Sequence, residues 1–172
     1  VPEIRALEPD YFVTINGTYV IDKKATEIVN DPLPRDIVEK YVAWAKSEGI
    51  EYGFAGKDKP VVSARCDLID DAMIPIYGVC DVEPDFYLTN DVYHMWTFTE
   101  NNAQLRLPDE LAVEIRLVPW HEHSSENYGK GKSHQNLIFH KSDITFPFSF
   151  LIKNQRKAMI ILYHYSSSCG TK

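Results

Sequence analysis

The sequence predicts a protein of the α/β class, and two kinds of local signal lead to this expectation. Short runs of β-branched and aromatic residues alternate along the chain with segments that carry apolar residues at helical spacing. The resulting order of strand, helix, strand, helix, strand, helix, strand is typical of α/β folds. The chain has 172 residues, 44% of them apolar and 12% aromatic, which is enough for one ordinary packed domain.

The first predicted elements are two strands at residues 11–15 and 18–21, separated by Asn16 and Gly17. Asn-Gly accepts positive φ at both positions, so the pair predicts a tight hairpin turn. A polar turn at 22–24 follows, and then a short strand at 26–29. The sequence therefore predicts a small set of strands in this part of the chain.

The strongest helical signal begins at Pro34 and ends before Gly49. Proline suits the first helical position, and glycine suits the position just past the end. The apolar residues that share one face of this helix are Ile37, Val38, Tyr41, Val42 and Ala45. The remaining predictions are a strand at 50–54, a helix at 63–74 with Ser63 as a cap, a strand at 92–99, a helix at 107–115 and a strand at 116–123.

The charge distribution excludes some classes of partner. Residues 1–130 hold 24 acidic residues against 12 Lys and Arg, and phosphate contacts with nucleic acid need Lys and Arg. No stretch approaches the length of a membrane-spanning helix, and the N-terminus does not resemble a secretory signal. The odd number of cysteines, three, favours free thiols in a reducing compartment. We therefore expect a soluble cytoplasmic protein without nucleic acid or membrane partners.

The last part of the chain differs in composition from the rest. Residues 131–172 hold one acidic residue, Asp143, and six Lys and Arg, around two apolar runs. These runs could form a hairpin, or they could be sequence that was never selected to fold with the rest. A shifted reading frame is one hypothesis that would explain a tail that was never selected to fold with the rest.

Several groups of ionisable residues are candidate reactive sites. His121 and His123 project from the same face of a strand, and with His134, His140, His164 or Cys169 they could hold zinc. No second pair has ligand spacing, so a partly solvated strand face is the preferred interpretation and no metal site is predicted. The carboxylates at 81–85, and those of Asp67, Asp70 and Asp71, are interpreted as loop and solvated helix residues. No catalytic residue is predicted.

Four segments taken together resemble the haloacid-dehalogenase-like (HAD) hydrolases of the Cof type. They are "PDYFVTINGTYVID", "PLPRDIVEKYVAWAKSEGI", "EPDFYLTNDVYHMWTF" and "LVPWHEHSS", and the resemblance covers residues 2–126. It implies a small mixed or antiparallel sheet with helices on one face. In domain terms, it implies a fragment of the Rossmannoid core sheet at 1–29, an α/β cap domain at 30–126 and a divergent basic and apolar tail at 127–172.

The resemblance also implies a function. These enzymes are Mg²⁺-dependent phosphatases of sugar phosphates and small phosphorylated metabolites, and Asn16 and Gly17 match a pair that faces their substrate cleft. Lys132 is the candidate for a lysine that contacts phosphate. The family's Asp-x-Asp-Gly-x-Thr/Ser and Gly-Asp-x-x-Asn-Asp motifs, which supply the nucleophile and the Mg²⁺ ligands, are absent from these 172 residues.

We therefore expect a chain that is inactive by itself. The alternative is a non-catalytic α/β binding or assembly module that self-associates through exposed strand edges.

Overall fold

The structure is a computed structural model that describes residues 9–129 and 158–160, in two compact units. The described part of unit 1 consists of residues 9–31 and 158–160. The described part of unit 2 consists of residues 32–129. The sequence-based domain boundaries at residues 29 and 126 remain predictions.

Unit 1 contains a four-stranded sheet in the order β10-β1-β2-β3. Its strands are β1 (Tyr11–Thr14), β2 (Tyr19–Asp22), β3 (Glu27–Asn30) and β10 (Ala158–Ile160). β2 is antiparallel to both β1 and β3, whereas β10 runs parallel to β1. β1 is thus paired on both sides, and the free edges of the described sheet belong to β3 and β10.

The β1–β2 connection differs from the predicted two-residue turn. Thr14 pairs with Tyr19, so four residues form the loop. Ile15, Asn16 and Gly17 all have positive φ, at 47°, 54° and 88°. Both the backbone N–H and the hydroxyl of Thr18 donate to the carbonyl of Ile15, at 3.1 and 2.7 Å. These two hydrogen bonds close a four-residue loop, which is longer than the predicted two-residue Asn-Gly turn. The positive φ values of that pair are confirmed, but the tight hairpin is wrong.

Unit 2 contains a six-stranded sheet in the order β6-β5-β4-β7-β9-β8. The strands are β4 (Glu51–Ala55), β5 (Pro60–Val62), β6 (Asp81–Val82), β7 (His94–Phe98), β8 (Ile115–His121) and β9 (Ser124–Gly129). All neighbouring pairs are antiparallel except β5 and β6. As in any β-strand, successive side chains of the central strands β4 and β7 point to opposite faces of the sheet.

The first face of this sheet is covered by helix α1 (Arg35–Ser47). The predicted stripe is confirmed, because the buried residues of α1 are the five apolar residues named from the sequence. They pack with Tyr52, Phe54 and Met95 of the central strands. Tyr41 is fully buried, and its hydroxyl donates to the Trp96 carbonyl at 2.8 Å. Gly49, with φ of 64°, follows the helix as expected.

The opposite face of the sheet is contacted by helix α2 (Asp67–Tyr77). The ring of Tyr77 lies against Trp96, with centroids 5.3 Å apart. Trp96 pairs with Gly53, whose neighbours in β4 point toward α1, so α2 lies on the other side. The predicted mixed α/β class is confirmed. The sequence predicted helices on one face of the sheet. In the six-stranded sheet, α1 covers one face and α2 covers Trp96 on the other.

Two predicted boundaries shift, and three strands were not predicted. Ser63 does not cap α2, because its hydroxyl instead bonds with Glu51 and with the N–H of Tyr52. The predicted helix at 107–115 shortens to α3 (Asp109–Ala112). The unpredicted strands β5, β6 and β9 are short or polar, and β9 runs through residue 126, where the predicted cap ends.

Two smaller findings bear on the sequence-based expectations. Cys66 and Cys80 are free thiols, half-buried and buried respectively, and Cys169 lies outside the described residues. Among the helices of the described residues, none combines the length and the apolar character that a membrane crossing requires.

Replacing Gly53 tests the close approach across the central strands. A Cβ at Gly53 would lie 2.9 Å from the Val61 carbonyl oxygen and within 3.3 Å of the Trp96 and Phe98 rings. We expect Gly53→Ala to lower the free energy of unfolding by about 2–3 kcal/mol, measured by urea denaturation.

Gly49→Ala is the matched control, because a Cβ there meets nothing within 4 Å and only its φ of 64° is unfavourable. Gly49→Ala should lower the free energy of unfolding by about 1 kcal/mol. Equal losses in the two variants would contradict the steric account.

Candidate functional site

The predicted site residues Asn16 and Gly17 lie in a strained, half-buried turn of unit 1. Ile15, Asn16 and Gly17 are left-handed in succession, and a β-branched residue such as Ile15 rarely adopts this conformation. Strain of this kind costs about 1–3 kcal/mol and clusters at functional sites. The strain is compatible with the predicted substrate contact of Asn16 and Gly17, which remains a prediction. Lys132, the predicted phosphate contact, lies outside the described residues.

The carboxylates at 81–85 do not form a reactive pair. Lys59 donates to Asp81 at 2.9 Å and also to Glu83, so the two carboxylates share one ammonium group. These contacts raise the pKa of Lys59 and lower that of Asp81. Arg65 in turn binds Asp70 at 2.7 Å. These exposed ion pairs hold Asp81 and Glu83 to Lys59, and Asp70 of α2 to Arg65.

Unit 2 contains an open cleft of about 480 Å³. Its polar lining comes mainly from the 99–108 segment and includes Asn101, Gln104 and Arg106, and the indole of Trp44 contributes an aromatic surface. Nη1 of Arg106 donates to the carbonyls of Ala103 and Leu105, while a guanidinium carries five N–H donors in all. The cleft thus combines a cation, two amides and an aromatic ring with the carboxylate of Glu48.

Asn102 fixes the segment that lines the cleft. It is buried, and its Nδ2 donates to the carbonyls of His121 and Ser124 at 3.0 and 2.9 Å. Its Oδ1 accepts from the Ser125 hydroxyl at 2.7 Å. The N–H of Thr99 also donates to the His123 carbonyl at 2.9 Å. The cleft segment and the tip of the β8–β9 hairpin are therefore held as one piece.

A half-buried ionisable group lies on the sheet face that α2 contacts. Glu126 of β9 pairs with Trp96 of β7, and its carboxylate lies 3.7 Å from Nε2 of His94. Burial raises the pKa of Glu126 to about 7, against a smaller opposing effect of the Trp96 indole. The carboxyl therefore changes charge near neutral pH, inside a packed region.

The two histidines singled out from the sequence meet an aspartate that sequence reasoning did not connect with them. His121 and His123 lie at the tip of the β8–β9 hairpin, with ring centroids 5.8 Å apart. Asp71 of α2 approaches them, and its carboxylate lies 3.6 Å from Nε2 of His121. The other proposed partners, His134, His140, His164 and Cys169, lie outside the described residues.

No local signal could have identified the cleft residues or the contact of Asp71 with the hairpin tip. Sequence proximity alone places Asp71 in one group with Asp67 and Asp70. The structure separates them, since Asp70 binds Arg65 while Asp71 faces His121. Only the position of α2 over the sheet decides this pairing.

Known structures share this architecture, although no protein-family model matches the chain. A phosphatase of the HAD enzyme superfamily from Bacteroides thetaiotaomicron aligns with 77% of the chain and 50% of its own length, at a TM-score of 0.63 and 15% identity. A HAD subclass IIB sugar phosphatase aligns over 77% and 51%, at a TM-score of 0.57 and 16% identity. The chain has the fold of part of a HAD-like hydrolase.

Two further proteins are similar to this chain. A hypothetical protein from Geobacillus kaustophilus shares 26% identity and a TM-score of 0.64, over 77% of this chain and 52% of its own. A Streptococcus pyogenes protein, named as a bifunctional phosphatase/peptidyl-prolyl cis-trans isomerase, is 45% identical over 131 residues. That match covers 76% of this chain and 28% of the relative. The chain therefore spans about a quarter to a half of the proteins that it matches.

The described residues do not fit a catalytic Mg²⁺ site. Mg²⁺ prefers an octahedral set of oxygen ligands. The carboxylates of Asp81 and Glu83 are both paired with Lys59. Among the described residues, the group of metal-ligand side chains that comes together is Asp71, Glu122 and His123, which includes an imidazole. We assign no catalytic step to Mg²⁺ in this chain.

Glu126 should make the stability of the chain depend on pH. Its pKa of about 7 in the folded state exceeds the ordinary value of 4.5. Its contribution to stability is therefore complete below about pH 4.5 and is lost as the pH rises through 7. We expect this group to lower the free energy of unfolding by up to about 3 kcal/mol over that range. In Glu126→Gln, this part of the slope should disappear.

Urea unfolding of the wild type and the variant at several pH values measures this effect. Glu114→Gln, which changes an exposed glutamate, is the control and should keep the wild-type slope. A parallel pH dependence in Glu126→Gln and the wild type would show that Glu126 is ionised without cost.

Proposed function

We propose that this chain is the substrate-selecting part of a cytoplasmic HAD-like phosphatase of the Cof type. The substrates would be sugar phosphates or other small phosphorylated metabolites. The observation that carries the proposal is the match of about three quarters of the chain to a sugar phosphatase of this superfamily. On this proposal, unit 2 is the cap, which in such enzymes closes over the substrate and sets specificity.

The chemistry of the unit 2 cleft is consistent with this class of ligand. A guanidinium group such as that of Arg106 suits a phosphate, and amides such as those of Asn101 and Gln104 suit hydroxyl groups. The face of Trp44 offers an apolar surface on which a sugar ring can pack. We therefore propose the cleft as a contact surface for the substrate, and Asn16 and Gly17 as further contact residues in unit 1.

Binding can be tested on the chain itself by NMR titration with a sugar phosphate such as glucose 6-phosphate. We expect shifts in the backbone amides of the 99–108 segment, and at least about tenfold weaker binding in Arg106→Gln because a charge-assisted contact is lost. Arg116→Gln, which changes an exposed arginine of β8 outside the cleft, is the matched control. Absence of binding by any member of a panel of phosphorylated metabolites would contradict the proposal.

The chain by itself should not hydrolyse phosphate esters. The sequence contains no Asp-x-Asp-Gly-x-Thr/Ser motif, and phosphoryl transfer in this family depends on an aspartyl nucleophile with Mg²⁺. We expect release of inorganic phosphate from sugar phosphates with Mg²⁺ to equal the rate without protein. Hydrolysis that follows the protein through purification and needs Mg²⁺ would overturn this expectation.

A second candidate is an assembly module that self-associates. It is favoured by β3, an edge strand of the described sheet of unit 1, on which Ile28 is 45% exposed. Edge strands with exposed apolar residues pair readily with other chains. Sedimentation over a range of protein concentrations distinguishes the candidates. A monomer at all concentrations would exclude self-association, and an oligomer dispersed by Ile28→Lys would support it.

A further inference from the structure

Three metal-ligand side chains converge where helix α2 meets the tip of the β8–β9 hairpin. Asp71 lies on α2, and Glu122 and His123 lie at the tip. One ligand atom from each of the three lies within 4.8 Å of the others. The elements that carry them are distant in sequence, so this convergence is a product of the tertiary fold.

The hairpin tip is held in place from behind. Nδ2 of Asn102 donates to the carbonyls of His121 and Ser124, and the N–H of Thr99 donates to the carbonyl of His123. The N–H of His123 also donates to Nδ1 of His121 at 3.3 Å. This bond leaves Nε2 of His121 to face the Asp71 carboxylate, 3.6 Å away. A fixed backbone of this kind reduces the entropy that ligand binding must overcome.

The second observation concerns the ring of His123. Its Nδ1 is buried and makes no hydrogen bond with the part of the chain that the structure describes. Its Nε2 lies 3.7 Å from the Glu122 carboxylate. The side chain is 28% exposed, and Nε2 is the ring nitrogen that faces the carboxylate of Glu122. Nε2 is therefore the atom that a metal between the three side chains would contact.

We propose that Asp71, Glu122 and His123 bind a borderline divalent transition metal of the Zn²⁺ type. One imidazole and two carboxylates match the ligand preferences of Zn²⁺, and a fourth position would remain for water. Tetrahedral ligands at the usual bond lengths lie about 3.4 Å apart. The side chains must therefore move together by about 1–1.5 Å, which rotations of the exposed Asp71 and Glu122 can supply. His121 acts as a positioning residue that faces Asp71.

The bound metal would connect α2 to the β8–β9 hairpin. In the described structure, α2 contacts this face of the sheet mainly through apolar residues such as Tyr77 on Trp96. A metal that binds the folded state but not the unfolded chain stabilises the fold. This inference is independent of the proposed phosphatase lineage, because it assigns the cation a place in unit 2 rather than in phosphoryl transfer.

The test uses the full chain without a histidine tag, titrated with ZnCl₂ at neutral pH. Calorimetry should show one Zn²⁺ per chain, and the melting temperature should rise by about 5 °C or more. Asp71→Asn keeps the size of the side chain but should weaken binding at least about tenfold and abolish the rise in melting temperature. Asp67→Asn, an exposed aspartate one turn earlier on α2, is the matched control and should behave like the wild type.

A spectroscopic probe separates a formed site from loose binding. With Co²⁺ in place of Zn²⁺, the wild type should show the strong visible bands of tetrahedral coordination, and His123→Ala should lose them. The triple variant of the tail histidines, His134→Ala, His140→Ala and His164→Ala, should retain the bands. The proposal is overturned if the wild type binds no Zn²⁺, if Asp71→Asn binds as tightly as Asp67→Asn, or if the tail variant loses the site.

Discussion

The hydrogen bond from the Tyr41 hydroxyl to the Trp96 carbonyl is the constraint on which unit 2 depends. It is buried, and it fixes helix α1 against the central strand β7 at a point where both faces of the sheet are packed. Burial raises the pKa of Tyr41 well above its ordinary value, so the hydroxyl remains a donor. A buried carbonyl that lost this donor would carry a desolvation cost of about 1–3 kcal/mol.

The same strand organises the second face of the sheet. Because side chains alternate along β7, residues 94 and 96 point away from α1 and toward α2. Gly53 makes room for the Trp96 and Phe98 rings, and Glu126 sits opposite Trp96. The ionisable groups of this region are thus placed by the packing around one tryptophan. The tip of the hairpin, with its histidines, then reaches the polar side of α2.

This arrangement separates two regions with different chemistry within unit 2. The cleft beside Trp44 and Arg106 presents donors, an aromatic surface and the Glu48 carboxylate, and we propose it as the contact surface for a small anionic ligand. The tip beside Asp71 presents carboxylates and imidazoles, which suit a cation. Asn102 belongs to both, because it binds the hairpin tip while its neighbours line the cleft.

The sequence by itself determined the elements whose signal is local. The apolar stripe of α1, its terminal Gly49 and the positive φ of Asn16 and Gly17 depend on residue type and spacing, which act over one or two turns. Tertiary structure alone decided the four-residue turn, closed by Thr18, and the departure of Ser63 from its predicted capping role, since Glu51 binds it. It also decided the encounter of Asp71 with the hairpin tip, because contacts between distant segments depend on how helices and strands pack, which no local pattern records.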